Sequence, residues 1–156
     1  MKEIEISISD KRLFERMKNE SGKSALVKES AGQPSKLSAR LIMTDDDKRL
    51  FDDYVSTAIN ECAVTIGHYL GECTVSHDTE QDNNLYRIHR FCITIPANYP
   101  EGVTEALEDI ITNIVFNRCM QQWYILVKSD DANLSAGKIQ LCMKQLQELL
   151  ALRKKP

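Results

Sequence analysis

"MTDDDKRLFDDYVSTAINECAVTIGHYLG", residues 43–71, carries five aspartates near its start and a glycine at its end. Between them Phe51, Val55, Ala58, Ile59, Cys62, Ile66, Tyr69 and Leu70 recur at steps of three and four, as one face of an amphipathic helix requires. Asp45, Asp46 and Asp47 admit two readings. Hard cations favour clustered carboxylates, but a calcium loop of the EF-hand kind needs acids at alternate positions, a central glycine and a closing glutamate, and that spacing is absent. The other reading is a helix start, with Thr44 or Asp45 as cap and the acids at the positive end of the helix dipole. Asp52 and Asp53 follow Lys48 and Arg49 by four residues, a surface ion-pair pattern. Gly71 stands where a glycine ends a helix. The stretch reads as one long helix and not as a metal loop.

Downstream, "CTVSH" and "LYRIHRFCITI" flank the polar "DTEQDNN", where Asp82, Asn83 and Asn84 favour a turn. This predicts a small β-hairpin at about residues 73–95, with Phe91, Ile93 and Ile95 on one side. Pro96 and Pro100 end the strand because proline cannot donate a ladder hydrogen bond. A second long helix then runs to about Val127. Its stripe of Val103, Leu107, Ile110, Ile111, Ile114, Val115, Phe116, Cys119, Met120, Trp123 and Val127 is wider than a surface helix needs, so this helix is expected to be central or shared with a partner. After the break "KSDDANLSAG", Ile139, Cys142, Met143, Leu146, Leu149 and Leu150 mark a third helix.

Upstream, "EIEISIS" alternates Ile4, Ile6 and Ile8 with polar residues, a strand with one apolar face that predicts an edge strand or arm. A helical turn is possible around Leu13, Phe14 and Met17. Residues 18–40 are rich in Ser, Lys and Gly and contain Pro34, which predicts a flexible or partner-ordered connection. The expected fold is therefore α+β, mainly α: a three-helix core of two long amphipathic helices plus a C-terminal helix, with a small β-hairpin and an N-terminal strand or arm. Residues 1–40 form the arm, and residues 41–156 a single helical domain.

The chain has 156 residues, 42% of them hydrophobic and 28% charged, and a net charge of −3. At that size one core buries roughly 68–70% of the surface that the unfolded chain exposes. A chain without net positive charge is not built as a general DNA coat, which displaces counterions with many cations. No apolar run approaches a membrane span, and no leader-like segment opens the sequence. Cys62, Cys73, Cys92, Cys119 and Cys142 are scattered and odd in number, which points to free thiols in a reducing compartment.

Chemistry-bearing motifs are weak. "SGKS" at residues 21–24 ends like a phosphate-binding loop, but Met17 occupies the place of its first glycine. His68, Cys73, His77, Asp78 and His89 contain zinc-binding atoms without the tight pairs of a structural site. As a Cys–His nucleophilic pair they would need an orienting group as well. Trp123 and Tyr124 suit core or interface packing better than base stacking. No catalytic residue, cofactor or metal is expected. Arg153, Lys154 and Lys155 form the one concentrated positive charge, suited to a helix C-terminus.

"ARLIMTDDDKRLFDDYVSTAINECAVTIGHYLGE" resembles head-to-tail connector (adaptor) proteins of tailed bacteriophages, in which a short acidic run opens a helix ending in aromatic-Leu-Gly. "FCITIPANYPEG", "LEDIITNIVFNRCMQQWYIL" and the closing "LRKKP" are similar to small neck proteins of phages and prophages, and the resemblance spans roughly residues 39–156. It implies a non-enzymatic virion protein at the portal vertex, first present in host cytoplasm. Such subunits form a homo-oligomeric ring, typically of twelve copies, that docks on the portal protein, meets other neck or tail proteins and extends a channel through which DNA passes without sequence recognition. No membrane partner is implied. Subunit or portal contacts are expected at Phe116, Met120, Trp123 and Tyr124, at the strand residues Ile4, Ile6 and Ile8, and, by analogy with adaptor C-termini, at Arg153, Lys154 and Lys155. Rival expectations are a tail-completion or terminator protein, a small metal-dependent hydrolase or nuclease using Asp45–Asp47 or the His68/Cys73/His77 group, and a cytoplasmic helical regulator.

Overall fold

The computed structural model describes residues 2–80, 83–100 and 102–151. In chain order these form strand β1 (Lys2–Ser9), helix α1 (Asp10–Ser30), the short helix α2 (Ser35–Ala39), a 3-10 turn at Asp45–Asp47, helix α3 (Lys48–Leu70), strands β2 (Cys73–Glu80) and β3 (Asn83–Ile95), and helices α4 (Val103–Leu126) and α5 (Asp131–Leu150).

Two expectations are corrected. Four long helices, not three, build the fold, and the strands form one three-stranded antiparallel sheet in the order β1-β3-β2, not a hairpin beside a separate arm. The additional helix is α1, which occupies much of the stretch expected to be a flexible connection. Its buried residues are Asp10, Leu13, Phe14, Met17, Ser21 and Ala25. From Leu13 onward the spacing is helical, but serine and alanine dilute the apolar signal in the second half. Ser21 lies in the core because its hydroxyl is fully used. It donates to the Lys18 carbonyl at 3.0 Å and accepts the Met43 N–H at 2.8 Å. A buried hydroxyl so engaged avoids the cost of an unmade hydrogen bond.

β1 is tied to β3 along its length, from Lys2 opposite Ile95 to Ser9 opposite Ile88. That register sets Ile4, Ile6 and Ile8 beside Ile93, Phe91 and His89 on one face, where all six are buried. On the opposite face, Glu3, Glu5 and Ser7 are exposed, and Arg90 of β3 reaches Asp78 of β2 and Glu5 of β1. An antiparallel sheet with one wet face shows this alternation.

α1, α3 and α4 meet the strands, whereas α5 packs on α4 and α3 and meets no strand among the described residues. α4 is therefore the central helix, buried through Val103, Leu107, Ile111, Ile114, Val115, Phe116, Cys119, Met120, Trp123 and Tyr124. That is why its apolar stripe is wide. Phe14 and Phe51 stack at 4.8 Å between ring centres and join α1 to α3.

The acidic run has a structural task at the start of α3. The Asp47 carboxylate accepts the Thr44 N–H at 2.8 Å, and Lys18 of α1 pairs with Asp45 at 2.7 Å. Lys48 pairs with Asp52 one turn on, at 2.9 Å. α3 stops at Gly71, whose φ of 79° is left-handed and whose N–H donates to the Gly67 carbonyl. A side chain is disfavoured in that conformation.

Candidate functional site

Three places stand out among the described residues: a groove between three helices, a shallower surface between two, and a polar chain beneath the sheet. The groove lies between α1, α4 and α5, with a volume of about 300 Å³. Phe116, Met120 and Tyr124 of α4 are nearly covered and form its floor. Val27 of α1 and Leu134 of α5 stand on its rim, 69% and 60% exposed. Large aliphatic side chains held open beside a covered apolar floor make a surface that gains by burial.

Polar contacts fix the walls. The Ser24 hydroxyl donates to the Asp131 carboxylate, and Lys28 lies 4.0 Å from the same carboxylate, so the second half of α1 is tied to the start of α5. Arg16 spans α1 and α4 by donating to the Asn113 side chain at 3.2 Å while its guanidinium lies 3.7 Å above the Phe116 ring. Burial pushes the Tyr124 hydroxyl up to about 12, so it stays neutral at ordinary pH.

A second, shallower surface lies between α3 and α5, lined by Thr57, Asn60, Glu61, Val64, Thr65 and Met143. Val64, one of these, is 73% exposed. It shares no lining residue with the first groove.

The polar chain starts at Asp10, the first residue of α1, fully buried. Its carboxylate lies 2.6 Å from Nε2 of the buried His89 and accepts from Arg87 Nε at 3.3 Å. His89 Nδ1 faces His77 Nδ1 of β2 at 2.6 Å, and the rings meet edge to face. Arg87 also donates to the Asp52 carbonyl at 3.3 Å and to the Ser56 hydroxyl at 3.4 Å, both on α3. One chain of polar contacts thus joins α1, β2, β3 and α3. A buried carboxylate is tolerated only with such partners.

Of the residues singled out from sequence, Phe116, Met120 and Tyr124 come together at the groove. Trp123 does not join them: it is buried, with its indole N–H donating to the Leu41 carbonyl at 2.8 Å. Ile4, Ile6 and Ile8 face the protein's own core. Arg153, Lys154 and Lys155 lie outside the described residues. Residues 21–24, the phosphate-loop look-alike, lie inside α1. His77 and His89 meet, whereas His68 meets its neighbour Tyr69 edge to face and Cys73 begins β2. Among the described residues, no group of three or more His, Cys, Asp or Glu is arranged to hold a metal ion. All five cysteines are free. Burial pushes Cys62 up to about 12 and Cys73 up to about 11, and raises Cys119 as well, so these thiols resist forming the reactive thiolate.

Sequence reasoning missed Val27 and Leu134, and it did not link Asp10 or Arg87 to the histidines. A signal for the last two was present. The phase that turns Phe91, Ile93 and Ile95 inward also turns His89 and Arg87 inward, and inward cations demand a buried partner.

No family model matches the chain, and neither a curated protein nor a solved structure matches it. No helix among the described residues is long and apolar enough to cross a membrane.

Proposed function

We propose that the chain is a non-enzymatic assembly subunit of a tailed-phage particle, a head-to-tail connector that closes into a ring at the portal vertex. The observation that carries this reading is the α1/α4/α5 groove. Its floor residues Phe116, Met120 and Tyr124 belong to "LEDIITNIVFNRCMQQWYIL", a stretch that resembles phage neck proteins, and its rim leaves Val27 and Leu134 open to a partner.

A ring of identical subunits needs two different surfaces per copy, because each contact is heterologous. The groove and the Val64 surface on α3 and α5 supply two such patches on one chain. In this reading a neighbouring copy fills the groove. The acidic run then caps α3, and assembly proceeds by fit between surfaces. The net charge of −3 suits a channel wall past which DNA slides without strong phosphate contacts. Docking on the portal falls to the Arg153, Lys154 and Lys155 end, as the resemblance implies.

The test has two parts. Mass spectrometry of purified particles of the parent phage is expected to find this polypeptide in multiple copies per particle. Electron microscopy of the purified chain mixed with portal protein is expected to show a ring of added density at one portal face. Particles without the polypeptide, or portal rings that remain bare, overturn the reading.

A further inference from the structure

The chain from Asp10 through His89 to His77 is independent of the groove and of the assembly reading, and its geometry counts protons. Asp10 as a carboxylate can only accept, so His89 presents Nε2–H to it across 2.6 Å. In neutral His89 the lone pair is then on Nδ1, and it faces His77 Nδ1 at 2.6 Å. Two lone pairs repel at that distance, and so do two N–H groups. The contact holds only when one proton lies between the two nitrogens.

With both rings neutral, His77 donates from Nδ1–H. With one ring cationic, that cation donates to the other. With both cationic, two N–H groups oppose each other and the contact must break. We propose that the His77–His89 pair is an acid-released latch, closed while its rings hold at most one extra proton and opened by the second.

The surroundings decide which ring moves. His89 is fully buried, held on its other side by Asp10, and Asp10 is itself paired with Arg87. His77 is exposed and free to swing outward. The charged groups around the pair are Asp10 on α1, Arg87 on β3 and Asp78 beside His77 on β2. On α3, Arg87 meets a carbonyl and a hydroxyl, while the Asp52 carboxylate is taken by Lys48. From α4 the Cys119 thiol, raised chiefly by burial and further by the Asp10 charge, stays protonated.

Partial burial, then His89 and Arg87, hold His77 below the ordinary histidine value, against the opposing pull of Asp10 and Asp78. A base whose folded value lies below its unfolded one takes up protons more readily when released. Where His89 already holds the first proton, the latch therefore contributes in full above the ordinary histidine value near pH 6.5 and loses strength as His77 takes the second, when pH falls through its lowered value. Release frees the distal end of β2, where the ladder is already irregular between Thr79 and Glu80.

Amide hydrogen exchange on the full chain tests this, with rates corrected for their intrinsic pH dependence. In the wild type, protection of those amides at the distal end of β2 that donate to β3 is expected to fall severalfold between pH 7.5 and 5.0, while α4 amides keep theirs. His77→Gln keeps a donor for His89 Nδ1 and cannot titrate, so its β2 protection is expected to stay level over the same range. An unchanged wild type, or an equal fall in His77→Gln, overturns the latch. Nitrogen-15 spectra of the imidazoles give an independent reading. Two cationic rings at pH 5 with β2 protection intact overturn it as well.

Discussion

Trp123 and Asp46 mark opposite ends of the range of single-residue effects in this chain. Trp123 is buried, and its indole N–H occupies the Leu41 carbonyl, so truncation opens a cavity and orphans an acceptor together. Trp123→Ala is expected to lower unfolding free energy by about 3–5 kcal/mol, the range for large aromatic truncations in a core. Asp46 is exposed in the turn before α3, and the cap contacts belong to Asp47 and the ion pair to Asp45. Asp46→Ala is expected to stay within about 0.5 kcal/mol of wild type, as exposed substitutions do. Urea unfolding of the two variants checks the ranking, and a costly Asp46→Ala would contradict the cap assignment.

At the scale of elements, α1 is the test of how the fold is held. Ser21 is its buried polar residue at mid-helix and bridges to the Met43 N–H on the approach to α3. Ser21→Ala leaves that buried N–H without its acceptor and is expected to cost about 1–3 kcal/mol in urea unfolding. A truly flexible connection at residues 18–40 would hardly notice the change. α3, α4 and α5 were legible in the sequence because their apolar positions recur strongly, with Gly71 and the prolines as clear stops. α1 was not, since Ser21, Gly22 and Ser24 read locally as linker chemistry and their use depends on Met43 and Asp131, far along the chain. Likewise "EIEISIS" announced a strand with one apolar face, but not its partner. Which strand it pairs with is a long-range choice, made when Ile4, Ile6 and Ile8 are buried with Phe91 and Ile93. The groove was half legible for the same reason. Its floor lies on a helix that sequence identifies, and its rim needs α1 to exist.

Across the whole molecule, interior and surface hydrophobics divide in a way that separates folding from assembly. Ile4, Ile6, Ile8, Phe51 and Leu107 are buried among the described elements, whereas Val27 and Leu134 flank the groove largely in water. Their exposure means that replacing either with lysine removes little native packing, so unfolding free energy is expected to change by no more than about 0.5 kcal/mol. The same lysines place a charge where a neighbouring copy would bury apolar surface, and a charge desolvated without a partner opposes association strongly. Val27→Lys combined with Leu134→Lys is therefore expected to leave thermal unfolding intact and to abolish ring density on portal protein by electron microscopy. Ile6→Ala is the control of opposite sign: it should cost about 2–5 kcal/mol of stability through a core cavity while leaving the groove's residues in place. If the double lysine variant assembles as well as wild type, the groove is not the subunit contact, and the broad burial of α4 then serves the monomer's own core alone.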